Sequence, residues 1–157
     1  EEALVLAIIR QESEFEPAAV SHANAHGLMQ LIPSTARAQA RREGMTYQRG
    51  ALTSDPQYNM TLGAAHLAQL IDEFGGSYVL AIASYNAGSH NAREWIGDFG
   101  DPRSRSVDIV DWVELIPFSE TRNYVQRVME NLQVYRHRLQ GAPTPITLEA
   151  DLRRGRY

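Results

Sequence analysis

Residues 55–76 read DPQYNMTLGAAHLAQLIDEFGG, and this stretch decides the fold class. Asp55 is a good N-cap, and Pro56 suits the first helical position, where its missing N–H costs nothing. Met60, Ala64, Leu67, Ile71 and Phe74 then recur at three- and four-residue spacing, which predicts one buried helical face. Gly75-Gly76 ends the element.

The same reading extends outward. A first helix is predicted over Glu2 to Glu14, stopping before Pro17. A second helical region runs from Gly27 to Arg42, with a break or restart at Pro33-Ser34-Thr35. Residues 43–54 read as loop. Ser77 to Asn86 is a short apolar helix, and Ser89 caps another that reaches Ile96. After a polar loop over 97–106, a short helix spans Asp108 to Leu115. The last helix runs from Ser119 to Leu139 on an apolar stripe of Val125, Val128, Leu132, Tyr135 and Leu139. Long Val/Ile/Thr alternation is missing, so the expectation is an all-α, single-domain bundle of about seven helices. The tail, 142–157, carries Pro143 and Pro145 and is expected to be extended.

Bulk properties narrow the function. Fifteen basic residues, all Arg, face nineteen acidic ones, for a net charge of -4. A nucleic-acid partner would call for a basic patch, and the arginines are scattered. The absence of cysteine removes thiol nucleophiles, disulfides and thiolate metal sites. The five histidines have no metal-ligand spacing, so neither metal nor cofactor is expected. No run reaches the roughly 18 apolar residues of a membrane span.

Four segments carry residues suited to chemistry. Glu12, in Gln11-Glu12-Ser13, lies near the C-terminal end of the first helix between Ile9 and Phe15. The negative helix pole and partial burial would both raise its pKa, as a general acid requires. Gly27-Leu28-Met29-Gln30 combines a residue that permits close backbone approach with a two-way hydrogen bonder. Tyr85-Asn86-Ala87-Gly88 ends an apolar helix on two polar groups. Glu120 and Tyr124 share a face of the last helix. Each segment alone reads more simply as structure: a solvated glutamate, a helix start, a C-cap and a stabilising first turn.

Together, in order and at their separations, these blocks and Ile116-Pro117-Phe118-Ser119-Glu120-Thr121-Arg122-Asn123-Tyr124 resemble the soluble lytic transglycosylase family, catalytic domain, with a goose-type lysozyme-like fold. The resemblance spans about residues 1–140. It implies a catalytic domain over 1–141, and an upstream helical superhelix outside this fragment. It implies Glu12 as the catalytic acid and Ser13, Met29, Gln30, Tyr85, Asn86, Glu120 and Tyr124 as substrate-binding. The implied partner is the peptidoglycan glycan strand in the periplasm, with peripheral contact to the cell wall or outer membrane left open. Asn24, His26 and Ser84 depart from the usual pattern without removing a reacting group.

An ordinary glycosidase uses two carboxyl groups. Glu120 and Asp55 are candidates for the second, yet both are placed as helix-start residues. The family resemblance implies instead that Glu12 serves as acid and then base while the substrate's own 6-hydroxyl attacks, leaving a 1,6-anhydromuramic end. The alternatives are a hydrolysing lysozyme on the same fold, a non-catalytic glycan-binding module and a purely structural helical domain.

Overall fold

The computed structural model describes residues 1–155, and the fold is all-α. Its helices are α1 (Glu2–Ser13), α2 (Pro33–Arg42), α3 (Ala51–Ser54), α4 (Pro56–Glu73), α5 (Tyr78–Ala87), α6 (Ser89–Phe99), α7 (Ile109–Glu114), α8 (Ser119–Gln140) and α9 (Leu148–Leu152). Seven correspond to the elements expected from the sequence. The two short ones, α3 and α9, stand where a loop and an extended tail are expected. The chain forms two compact units, Glu1–Ala68 and the residues from Gln69 onward. No shift in composition marks the boundary, which falls inside α4.

In the first unit, α1 buries Ala3, Leu4, Ala7, Ile8 and Ile9. It ends in an uncommon way: Glu14 and Phe15 both take left-handed conformations, at φ 52° and 67°. Two consecutive non-glycine residues there hold backbone strain directly after Glu12 and Ser13. Helix α2 starts at Pro33, six residues later than expected. Gly27 and Gln30 adopt φ of 75° and 50°, which no right-handed helix accommodates. Residues 20–31 instead form a tight loop, closed by isolated bridges between Val20 and His26 and between His26 and Leu31. Leu31, Ala36, Ala40, Leu52 and Leu62 make a core cluster, with Met45, Tyr47 and Tyr58 packed against it.

Helix α4 is rotated relative to the expected face. Its buried positions are Asn59, Leu62, Gly63, Leu67 and Leu70, with Phe74 buried just past its end, while Met60, Ala64 and Ile71 lie at the margin. The shift arises because a polar Asn and a Gly occupy the buried stripe, where an apolar-periodicity reading does not look.

In the second unit, α5 is the central element, and it contacts α6, α8 and α9. Every residue from Tyr78 to Ser84 is buried. Ser77 caps it, its hydroxyl accepting from the Leu80 N–H. Asp108 caps α7 by accepting from Val110 and Asp111. Trp112 donates its indole N–H to the Gly100 carbonyl at 2.9 Å. On α8, Thr121, Tyr124, Val125, Val128, Met129 and Leu132 are buried, whereas Leu139, expected on the stripe, is exposed. Helix α9 is tethered by Asp151, which accepts from Arg136, Gln133 and Thr147.

Candidate active site

Glu12 and Ser13 are the last two residues of α1, both half-buried. The Ser13 hydroxyl donates to the Leu28 carbonyl at 2.7 Å, with a longer contact of 3.3 Å to Ile9. Its proton therefore ties the 27–31 loop to the end of the helix that carries Glu12. A sugar contact in which Ser13 donates would compete with that bond, whereas its oxygen can still accept.

The loop itself is fixed by a residue that the sequence reading passes over. Asn59 is fully buried, and its side-chain oxygen accepts from the Met29 N–H at 2.8 Å. Its amide donates to the carbonyls of His26 at 2.8 Å and Leu52 at 3.0 Å. One side chain thus satisfies three backbone groups that would be costly to bury unpaired. The signal available in the sequence is an Asn on the 59–62–63–70 spacing of α4.

Gly27 faces this junction at φ 75°, and a Cβ there would overlap the Leu52 carbonyl and the Asn59 amide. A Cβ at Gly63 would overlap the Met29 side chain. Met29 is consequently 0% exposed. Met29, expected beside the sugar groove, packs its side chain over Gly63.

Gln30 donates both ways from its amide nitrogen, to Ala19 at 3.1 Å and Gly27 at 2.9 Å. Only its side-chain carbonyl oxygen is left to offer a ligand. Asp55, a candidate second carboxylate, accepts from the Tyr58 N–H at 3.1 Å and so caps α4.

The second unit gathers a separate group of the expected residues where the C-terminal turn of α5 meets the first turn of α8. Tyr85 and Asn86 are half-buried in that α5 turn. The Asn86 side-chain oxygen accepts from the Thr121 hydroxyl at 2.7 Å. Glu120, beside Thr121, is exposed. Tyr124, expected as a sugar contact, is 4% exposed and lies on the buried stripe of α8 with Val125 and Val128. Thr121 is the residue of this cluster that sequence reasoning leaves unassigned. Phe118 precedes the helix, partly exposed, with its ring edge-on to Trp95 at 5.4 Å.

Among the described residues, no group of three or more His, Asp or Glu side chains is placed to hold a metal ion. The first cluster offers a carboxyl group and an amide, and the second offers amide, hydroxyl and carboxyl groups, each set capable of hydrogen bonding.

The profile of the family described as the transglycosylase SLT domain matches residues 1–107, two thirds of the chain. The chain belongs to this SLT domain family. A second profile, the soluble lytic transglycosylase helical domain, matches residues 115–144 of the SLT chain. The soluble lytic murein transglycosylase of Salmonella typhimurium is 38% identical over 133 residues, covering 84% of this chain and 20% of that protein. Among solved structures, a lytic transglycosylase of Pseudomonas aeruginosa, solved as an inactive mutant, is 39% identical, with a TM-score of 0.82 over 93% of this chain and 23% of that one. The 70-kDa soluble lytic transglycosylase of Escherichia coli is 33% identical, with a TM-score of 0.85 over 99% of this chain and 25% of that one. The SLT chain thus spans about a fifth of the length of the curated relatives it matches.

Proposed function

We propose that this chain is the catalytic domain of a peptidoglycan lytic transglycosylase that acts in the periplasm. The observation that carries the reading is the membership of residues 1–107 in the SLT domain family, with Glu12 set at the end of α1 beside the serine that anchors the 27–31 loop.

In this reading the Glu12 carboxyl group donates its proton to the oxygen joining N-acetylmuramic acid to N-acetylglucosamine. The bond from that oxygen to the anomeric carbon breaks, and the glucosamine side leaves with a free 4-hydroxyl. The acetamido group of muramic acid stabilises the positive charge on the anomeric carbon. Glu12, now a carboxylate, takes the proton of the muramic 6-hydroxyl, whose oxygen bonds to the anomeric carbon and closes the 1,6-anhydro ring. Glu12 ends protonated, as it began. The attacking hydroxyl is already tethered, which removes the entropic cost of bringing in a second reactant. A single carboxyl group suffices, and this agrees with Asp55 being engaged as a helix cap.

Gln30, through its carbonyl oxygen, and Tyr85, Asn86 and Glu120 are the groups assigned to sugar positioning. Ser13 and Met29 hold the loop, and Tyr124 is a buried residue of α8.

The test is digestion of purified peptidoglycan followed by mass spectrometry of the released fragments. Anhydromuramic ends are expected. Reducing muramic ends, one water heavier, would assign the chain to the hydrolysing lysozymes. Binding without cleavage would assign it to the glycan-binding modules.

A further inference from the structure

Thr121 is 1% exposed, and its hydroxyl reaches across from the first turn of α8 to the last turn of α5. Its partner at 2.7 Å is the side-chain oxygen of Asn86, a residue that remains half-buried. A primary amide has two chemically opposite ends, and without a neighbour to choose between them it can present either. Here the Thr121 hydroxyl donates to the carbonyl end, which therefore faces inward, and the NH2 end is the one left to meet a ligand. Thr121 is β-branched and sits inside a helix, which restricts the directions its hydroxyl can take. Donor and acceptor are both carried on helices that pack directly on each other.

We propose that Thr121 is a positioning residue that fixes the orientation of the Asn86 amide, so that Asn86 acts as a hydrogen-bond donor to an oxygen acceptor on the glycan. This rests on the transglycosylase reading above and extends it to a residue that does not touch substrate. A fixed donor lowers the entropy lost when the sugar binds, and it disfavours a ligand that presents a donor at the same place. The interaction is made with the bound glycan throughout, so its loss raises KM more than it lowers kcat.

The experiment uses soluble, uncrosslinked glycan strands prepared from purified peptidoglycan, with release of anhydro ends as the assay. Thr121→Val keeps the shape and removes the hydroxyl; it is expected to raise KM by roughly five- to tenfold, with kcat within about twofold. Thr121→Ser restores the hydroxyl and is expected to restore KM. Asn86→Asp keeps the acceptor that faces Thr121 but replaces the outward donor with an oxygen, and is expected to raise KM at least as far while the protein stays folded. Combining Thr121→Val with Asn86→Ala is expected to add nothing to the KM of Asn86→Ala alone.

Additive effects in that pair, a Thr121→Ser variant as weak as Thr121→Val, or an Asn86→Asp variant with the KM of the parent would each overturn the assignment. Should Thr121→Val fail to fold, the Ser and Asp variants decide the matter. A parent chain that releases no anhydro ends overturns the functional reading itself, which separates that failure from a failure of the Thr121 assignment.

Discussion

Glu12 stands next to last in α1, and the two residues after Ser13 leave the helix through left-handed backbone. That exit sets where the carboxyl group is held. Replacing it with the isosteric amide, Glu12→Gln, is expected to lower kcat by roughly a hundred- to ten-thousand-fold, the usual worth of a general acid or base. The melting temperature should be unchanged, and steady-state release of anhydro ends from glycan strands measures the effect. A variant with full activity would remove Glu12 from the mechanism. The position of Glu12 at the helix end was legible from helix periodicity and Pro17. The burial of Met29 and Tyr124 was not, because spacing along the chain does not report what packs above a side chain. Met29 is buried by its fit over Gly63, a contact 34 positions away in sequence.

At the scale of elements, the 27–31 loop depends on α4 through Asn59, whose three hydrogen bonds join it to Met29, His26 and Leu52. Asn59→Leu keeps much of the volume and leaves those backbone groups unpaired in a buried place. The expected cost is about 3 kcal/mol, or a fall in melting temperature of roughly 6–12 °C for a chain of this size. Calorimetry checks it, and an unchanged transition would show that water or a relaxed loop satisfies the same groups. Apart from α3, expected as loop, helix identity in this region was readable from caps and periodicity. The face of α4 and the true start of α2 were not. Both are decided by residues whose value lies in tertiary contact: an Asn on a buried stripe, and a Gly and a Gln held in left-handed conformations. The hydrogen bond between Thr121 and Asn86 belongs to the same class, since 35 positions of sequence separate its ends.

At the scale of the whole molecule, α9 is held against α8 rather than trailing away. Asp151 has a side chain only 7% exposed, paired with an Arg136 side chain 17% exposed. Burial pushes its pKa up, but hydrogen bonds from Arg136, Gln133 and Thr147, with the Arg136 charge, outweigh it and hold the pKa below the ordinary 3.8. A folded-state pKa below the unfolded one means that the stabilisation is fully present above 3.8 and is lost as the pH falls through the lowered value. Asp151→Asn is therefore expected to cost about 3 kcal/mol at neutral pH and progressively less at acid pH, as the parent's carboxylate takes up its proton. Denaturant titrations at neutral and acid pH measure the difference, and an equal loss at each would remove the charge from the explanation. The prolines at 143 and 145 suggested an extended tail; the tether was hidden because an Asp–Arg pair 15 residues apart has no local signature. The central claim, that a sugar hydroxyl and not water attacks the anomeric carbon, is tested most directly by digesting peptidoglycan in water enriched in oxygen-18. The account predicts anhydromuramic ends carrying no label, and labelled reducing muramic ends would contradict it.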